Sequence, residues 1–198
     1  MSKKNIATLI MAAGSSSRMG TPKQLLPWKN ATLIENVIAK ALQLNTSKTL
    51  VVLGANKDVI IKKIASYPIE VVHNKKWHKG LGNSIAFGIN HILSTYKAEA
   101  VLIVLADQPL IKGSYLEEML DIFEASTAQI IATRYQNGKT GVPVLFDKSY
   151  FEELSVIDGD NGAKEILRKY SNLVKTLLFE ANVFDIDTEE DYNKLLKS

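Results

Sequence analysis

The sequence contains no cysteine, which excludes disulfide bonds, thiolate-bound metals and cysteine nucleophiles. It also lacks a strong excess of either charge, since 24 Lys and Arg against 21 Asp and Glu leave a net charge of +3. That charge is too small to indicate a nucleic-acid-binding protein. Uninterrupted apolar stretches of the roughly 18 residues that span a bilayer are missing as well. We therefore expect a cytoplasmic protein without nucleic-acid or membrane partners.

What is present suits one α/β domain. The 198 residues are 46% apolar, enough for a real core, and strand patterns alternate with helix patterns along the first portion. This alternation predicts a three-layer fold with a mostly parallel central sheet and helices on both faces. The predicted strands are 6–11, 49–53, 69–72, 100–106, 129–133, 142–146 and 183–187. The predicted helices are 33–44, 57–65, 84–93, 114–125, 148–154 and 162–170, with a last one after Thr188. Capping boxes are predicted at Thr32–Glu35, Ser114–Glu117 and Thr188–Asp191.

The stretch from Ile6 to Lys23 is the most informative in the chain. Its apolar start is only about seven residues, at the lower edge for a signal peptide, so we interpret it as a first strand. Small and polar residues follow directly, and such a loop can cradle phosphate oxygens with its amides, while Arg18 and Lys23 add positive charge. The alternative is a Ser-rich turn with two solvated basic residues. Neither a Walker loop nor a G-x-G-x-x-G motif is present.

The pattern Ala12-Ala13-Gly14-x-x-x-Arg18-Met19-Gly20-x-x-Lys23-Gln24-Leu25-Leu26-Pro27 resembles the signature loop of nucleotidyltransferases with a glycosyltransferase-A-like fold. It is most similar to that of the molybdenum cofactor cytidylyltransferases, and the resemblance runs from Ile6 to about Leu195. In that family the loop wraps a nucleoside triphosphate, and its Arg and Lys contact the phosphates. The resemblance therefore implies nucleotide-binding roles for Ala12, Ala13, Gly14, Ser15, Ser16, Ser17, Arg18, Met19, Gly20 and Lys23.

Two acidic motifs are candidates for a divalent metal. Asp107 ends the most apolar strand, where a carboxylate can hold a hard cation, although an Asp before Gln-Pro can also simply begin a turn. Leu105-Ala106-Asp107-Gln108-Pro109 resembles the metal-binding motif of the family, which implies a catalytic and metal-binding Asp107. Asp185 and Asp187 would share one face of a strand. The resemblance implies a second Mg²⁺ ligand here (or a ligand to Mn²⁺), and we choose Asp187 over Asp185.

The base and ribose are expected at the segment Gly80–Ser84, which resembles the loop that contacts them in these enzymes. We expect nucleotide contacts from Leu81, Gly82, Asn83 and Ser84, although Asn83 can equally be a helix cap. Gly54, which ends the second strand, is a plausible neighbour of the base. Trp77 can stack on a substrate or be buried under a helix.

The acceptor part matches the family less well than the nucleotide part, which we place at about 1–110, with the acceptor part at about 111–198. Val142 stands where many members have the His of Gly-His-Pro, and Lys164 stands where they commonly have the Arg of Gly-Ala-Arg. The expected reaction transfers CMP from CTP to the terminal phosphate of a molybdopterin-type acceptor, with a possible client molybdoenzyme as partner. Rivals are transfer to another phosphorylated small molecule and a non-catalytic, nucleotide-sensing protein for cofactor insertion. The cytidylyltransferase of isoprenoid synthesis is disfavoured because its His-Asp-Ala-Ala-Arg-Pro segment is absent.

Overall fold

Strands and helices alternate in the computed structural model, which describes residues 4–180, 186 and 188–196. The strands are β1 (Lys4–Ala12), β2 (Pro27–Trp28), β3 (Ala31–Thr32), β4 (Thr46–Leu53), β5 (Glu70–His73), β6 (Ala100–Leu105), β7 (Ile130–Tyr135), β8 (Thr140–Asp147) and β9 (Val174–Phe179). The helices are α1 (Leu33–Gln43), α2 (Lys57–Ile64), α3 (Leu81–Thr95), α4 (Gly113–Asp121), α5 (Phe151–Leu154), α6 (Lys164–Lys169) and α7 (Glu189–Leu195).

The central sheet has seven strands in the order β5-β4-β1-β6-β8-β7-β9. Of these strands, β8 alone runs antiparallel to its neighbours, while the other pairs are parallel. The strands β2 and β3 form a separate small hairpin. The predicted fold class is confirmed, and one sheet contains strands from both sides of residue 110.

Each face of the sheet carries its own apolar core. On one face Ile34 and Ile38 of α1 pack with residues of α2 and α4. On the other face Ile85 and Ile89 of α3 pack with residues of α5 and α6. These side chains recur at helical spacing, so each helix buries one stripe against the sheet. None of the described helices is long and apolar enough to cross a bilayer.

Most element predictions are confirmed, and the exceptions have local causes. The capping boxes at Thr32 and Thr188 are present. The one at Ser114 is wrong, because α4 already begins at Gly113 after Lys112. The sequence did not predict β9, whose exposed positions give it a weak strand pattern, or the short hairpin of β2 and β3. The predicted strand 183–187 lies outside the described residues apart from Ile186, which is buried.

Candidate nucleotide and metal site

Three parallel strands end side by side at one edge of the sheet. Ala12 of β1 lies opposite Leu53 of β4, and Met11 lies opposite Leu105 of β6. In parallel α/β sheets ligands bind beyond the carboxyl ends of the strands. The loop after β1, the turn after β4 and the turn after β6 leave the sheet together at this edge.

The segment Ala13–Pro22, here called the β1 loop, is held from inside by Gln24. This side chain is 2% exposed, and its Nε2 donates to the carbonyl oxygens of Ala12 (3.3 Å) and Gly14 (3.1 Å). A buried amide with these partners fixes the path of the backbone as it leaves β1. The sequence motif includes Gln24 but predicted no role for it; the position of Gln24 directly after Lys23 was the available signal.

A turn inside the β1 loop is closed by Ser16. Its backbone carbonyl accepts from the Met19 amide at 3.0 Å, and its Oγ accepts from the Lys23 amide at 3.0 Å. Ser16 adopts a φ of 57° and Gly20 a φ of 67°, a region in which glycine carries no steric penalty. The Ser16 hydroxyl therefore holds the loop together, and its contact with a nucleotide stays a prediction.

The outer side of the β1 loop faces solvent. Gly14, Ser17, Arg18 and Gly20 are exposed, while Ala12 and Ala13 are buried at the strand end. A Cβ placed on Gly14 would meet no described atom within 4 Å. Packing within the described protein therefore does not require glycine at this position, and the open space suits a closely approaching ligand.

Asp107 is the second residue after β6, and its carboxylate contacts Lys23, the residue that follows the β1 loop. Its Oδ2 lies 2.5 Å from Lys23 Nζ, and the two side chains are only 12% and 18% exposed. A charge-assisted hydrogen bond is strong when water is largely excluded from it. The structure thus brings together Lys23 and Asp107, two residues 84 positions apart that the sequence had assigned to phosphate and metal.

Lys40 of α1 holds the turn that carries Asp107, a role that the sequence did not predict. Its Nζ donates to the carbonyl oxygens of Pro109 (2.5 Å) and Ile111 (2.7 Å). Burial, followed by the charge of Lys29, lowers the pKa of Lys40 to about 8. A lysine on a predicted helix has no sequence signal for this contact, because both acceptors are backbone atoms.

The residue after Asp107 contacts β7 and, through it, β8. Gln108 Nε2 donates to the Tyr135 hydroxyl at 3.2 Å, and that hydroxyl donates to the Val142 carbonyl. Gln108 is 5% exposed, and its Oε1 has no hydrogen-bond partner among the described residues. This chain of contacts connects the turn after β6 with the start of β8.

The segment Gly80–Ser84 is not a loop followed by a helix at Ser84. The helix α3 begins at Leu81, so Gly82, Asn83 and Ser84 belong to its first turn, and Asn83 is not its cap. A Cβ on Gly82 would lie 2.6 Å from the Asp158 carbonyl oxygen. Glycine is therefore needed here for contact with the chain at 158–159, a reason that the sequence did not suggest.

Buried Asn74 fixes the first turn of α3. Its Nδ2 donates to Asn83 Oδ1 and to Ser84 Oγ, both at 3.1 Å, and its own Oδ1 accepts from the Lys76 amide at 2.9 Å. Ser84 is 2% exposed, which leaves Asn83 and Leu81, both half-buried, as the more accessible members of the predicted base-binding set.

Gly54 lies at the same edge and is required by close packing. A Cβ there would lie 2.4 Å from the Ala13 carbonyl oxygen and 2.6 Å from Trp77 Cβ. Trp77 is half-buried in a short turn before α3. Any side chain at position 54 would thus push the β1 loop and the Trp77 segment apart.

One carboxylate at this edge suits a divalent metal. Mg²⁺ is commonly held by one or two protein carboxylates together with substrate phosphate oxygens. Asp107 supplies one such carboxylate, and the ammonium of Lys23 beside it marks a position that favours a cation. The described residues contain no cluster of three or more acidic or histidine ligands. Asp185 and Asp187, the predicted second ligands, lie outside the described residues.

Comparison with known families agrees with this geometry. The profile of the MobA-like NTP transferase domain matches residues 8–174. The chain belongs to the MobA-like NTP transferase family. Nicotine blue oxidoreductase of Paenarthrobacter nicotinovorans is 27% identical over 201 residues, 96% of each chain. The purine catabolism protein PucB of Bacillus subtilis is 27% identical over 202 residues, covering 96% of this chain and 95% of PucB.

Solved structures place the fold in the same group. Rv0371c of Mycobacterium tuberculosis H37Rv superposes with a TM-score of 0.88 at 28% identity, covering all of both chains. Its complex with manganese gives a TM-score of 0.82 at 26% identity, covering 98% of each chain. A CMP:2-keto-3-deoxy-manno-octonic acid synthetase complexed with CTP has a TM-score of 0.73 at 14% identity, covering 96% of each chain, and so shares the fold. The nucleotidyltransferase architecture expected from the β1 loop is confirmed.

Proposed function

We propose that this MobA-like protein transfers CMP from CTP to the terminal phosphate of a molybdopterin-type acceptor and releases pyrophosphate. The observation that carries the proposal is the Lys23–Asp107 contact at the edge where β4, β1 and β6 end. It joins the residue assigned to phosphate with the residue assigned to metal. The proposal treats residues 1–198 as one cytoplasmic domain, with the nucleotide bound by the part before about residue 110 and the acceptor by the remainder.

The reaction is an in-line displacement at the α-phosphorus. A phosphate oxygen of the acceptor forms a new P–O bond, and the bond from the α-phosphorus to the β-bridging oxygen breaks, so pyrophosphate leaves with the electron pair. The acceptor phosphate is already ionised near neutral pH, so no general base is required. Catalysis then depends on alignment and on stabilisation of charge.

Each residue at the edge has a distinct part in that scheme. The β1 loop would bind the triphosphate, with Arg18 and Lys23 stabilising charge on the transferred group and on pyrophosphate. Asp107 would hold Mg²⁺ or Mn²⁺, with Asp187 as the proposed second ligand. When bound, the metal supplies charge neutralisation on the phosphates. The manganese complex of Rv0371c supports a divalent metal in this family.

The choice of CTP rests on the Ala12-Ala13-Gly14 form of the motif, since guanylyl transferases of the family tend to have Gly in the middle position. Cytidylyltransferases with the same fold support this choice. The test is pyrophosphate release from each of CTP, GTP, ATP and UTP, with and without molybdopterin, in Mg²⁺, in Mn²⁺ and in EDTA. We expect release that needs CTP, acceptor and metal together. GTP turnover would replace the cytidylyl assignment.

Two other functions are distinguished by the same assay. Metal-dependent turnover with a different phosphorylated acceptor would support nucleotidyl transfer and contradict the molybdopterin-type acceptor. CTP binding without turnover on any acceptor would favour a nucleotide-sensing protein that assists cofactor insertion into a client molybdoenzyme. One relative that matches over 96% of both chains is named an oxidoreductase. The assay therefore includes a further sample with NADPH and a dye as electron acceptor. Dye reduction without pyrophosphate release would support a redox function instead.

A further inference from the structure

The contact between Lys23 and Asp107 has a consequence for the order in which ligands bind. The two charged atoms lie 2.5 Å apart, and both side chains are largely shielded from water. A divalent cation on the Asp107 carboxylate and an ammonium on its Oδ2 would repel each other strongly at such short range. Lys23 and the metal therefore compete for the same carboxylate.

The backbone at Lys23 is fixed, whereas its side chain is long. The Lys23 amide donates to Ser16 Oγ, and the adjacent Gln24 is buried and bonded to two carbonyls of the β1 strand and loop. The ammonium sits on a flexible four-carbon stem. A change of rotamer can thus carry the charge from Asp107 toward a phosphate on the β1 loop while the loop keeps its shape.

We propose that Lys23 is an exchangeable counterion of Asp107, so that the triphosphate draws the ammonium away and opens the carboxylate to the metal. This inference rests on the proposed function, because it takes Asp107 as a metal ligand and the β1 loop as the triphosphate site. It predicts positive coupling, in which nucleotide strengthens metal binding and metal strengthens nucleotide binding by the same factor. It assigns Lys23 two functions: an ion pair with Asp107 before the nucleotide binds, and a contact with phosphate afterwards.

The coupling yields a result that a plain phosphate-binding lysine does not predict. Removing the Lys23 charge should strengthen Mn²⁺ binding when no nucleotide is present. Allosteric couplings typically change affinity by 5- to 150-fold, so we expect the Mn²⁺ dissociation constant of Lys23→Met to fall by about tenfold or more. The same substitution should weaken binding of CTP measured in EDTA.

The experiment is a titration of the full chain with Mn²⁺ alone, in which the electron paramagnetic resonance signal of the free ion measures unbound Mn²⁺. Lys23→Met and Lys23→Gln are the neutral variants, and Lys23→Arg keeps the charge and should stay within a few-fold of wild type. Lys148→Met is the matched control, since it removes an exposed positive charge just after β8, at the opposite edge of the sheet. It should leave Mn²⁺ affinity unchanged. Circular dichroism melting establishes that each variant folds. If one of the two neutral variants does not fold, the other still gives the measurement.

The outcomes separate this inference from the function on which it rests. Asp107→Asn with wild-type Mn²⁺ affinity would remove the metal role of Asp107 and therefore the proposed function. If Asp107→Asn loses Mn²⁺ but both neutral Lys23 variants bind it no more tightly than wild type, the counterion exchange is wrong and the function stands. Equal absence of binding in wild type and the neutral variants counts against the exchange in the same way. If Lys148→Met also bound Mn²⁺ more tightly than wild type, the effect would come from the net charge of the protein, and the counterion exchange would be wrong.

Discussion

The two parts of the molecule that meet at Asp107 differ in construction. Before residue 110, in the part proposed to bind the nucleotide, β5, β4, β1 and β6 are all parallel, and the β1 loop is fixed by the buried Gln24. After residue 110, in the part proposed to bind the acceptor, the antiparallel β8 interrupts the parallel order, and an exposed turn at 136–139 joins it to β7. Under the proposed function, the triphosphate is bound by a loop whose backbone is fixed by buried hydrogen bonds, whereas the acceptor is bound by the part of the sheet that carries an exposed turn.

The largest expected effect comes from Asp107 itself. Asp107→Asn keeps the shape of the side chain but removes the charge that would hold a metal, so turnover should fall on the order of 10³-fold or more. Pyrophosphate release measures the loss, and circular dichroism establishes that the fold is retained. Full activity in the folded variant would remove the metal role and with it the functional difference between the two parts.

The next effect comes from the cationic residues of the nucleotide part. Arg18→Ala and Lys23→Ala should each lower kcat on the order of 10²-fold, the scale of losing one charge-stabilising donor. Steady-state kinetics with CTP measures the change, with Lys148→Ala as the control that leaves kcat unaltered. An unchanged kcat in either variant would mean that its side chain does not act on the transferring phosphate.

A pair of glycines tests whether the open side of the β1 loop is a binding surface. A Cβ would meet no described atom within 4 Å at Gly14 or at Gly113, and neither has a positive φ. Gly14→Ala should weaken CTP binding about tenfold by steric conflict, the scale of one added methyl group in a binding pocket. Gly113→Ala, at the start of α4, should leave it unchanged. Both variants should melt no lower than wild type. Equal CTP affinity in the two would contradict nucleotide binding at the open side of the β1 loop.

The acceptor part is tested by restoring the residues that are common in the family. Val142→His and Lys164→Arg should change the KM for the acceptor by roughly tenfold or less and leave the KM for CTP as it is. Kinetics with each substrate varied in turn separates the two constants. A change confined to the CTP constant would mean that the division into nucleotide and acceptor parts is wrong.

The smallest effect is on stability and concerns Lys40, which fastens the turn between the two parts. Its pKa is lowered from 10.5 to about 8 in the folded protein, so between these values the unfolded chain binds more protons. The contribution of Lys40 to the free energy of unfolding should therefore rise from pH 8 toward 10.5. Urea unfolding of wild type and Lys40→Met at pH 7.5 and 9.5 measures it. The difference between the proteins should shift in favour of wild type at the higher pH; a constant difference would contradict the buried position of the ammonium.

The sequence predicted those features that are written locally in the chain. Hydrophobic periodicity located the strands β1, β4 and β6 and the helix α1, and the ends of these strands brought the β1 loop to Asp107. It did not predict Gln24, Lys40 or Asn74, since each acts by bonding to backbone or side-chain atoms that only the fold brings close. The need for glycine at position 82 was likewise hidden, because its cause is the distant chain at Asp158. The edge strand β9 was not predicted because apolar and polar residues alternate only weakly along it.

The most direct test is a crystal structure of the protein with Mn²⁺ and a non-hydrolysable CTP analogue, with the metal located by anomalous scattering. The predicted result is a manganese peak on the Asp107 carboxylate, the triphosphate on the β1 loop, and the Lys23 ammonium on a phosphate instead of on Asp107. Manganese bound away from Asp107, or a triphosphate bound away from the β1 loop, would contradict the account.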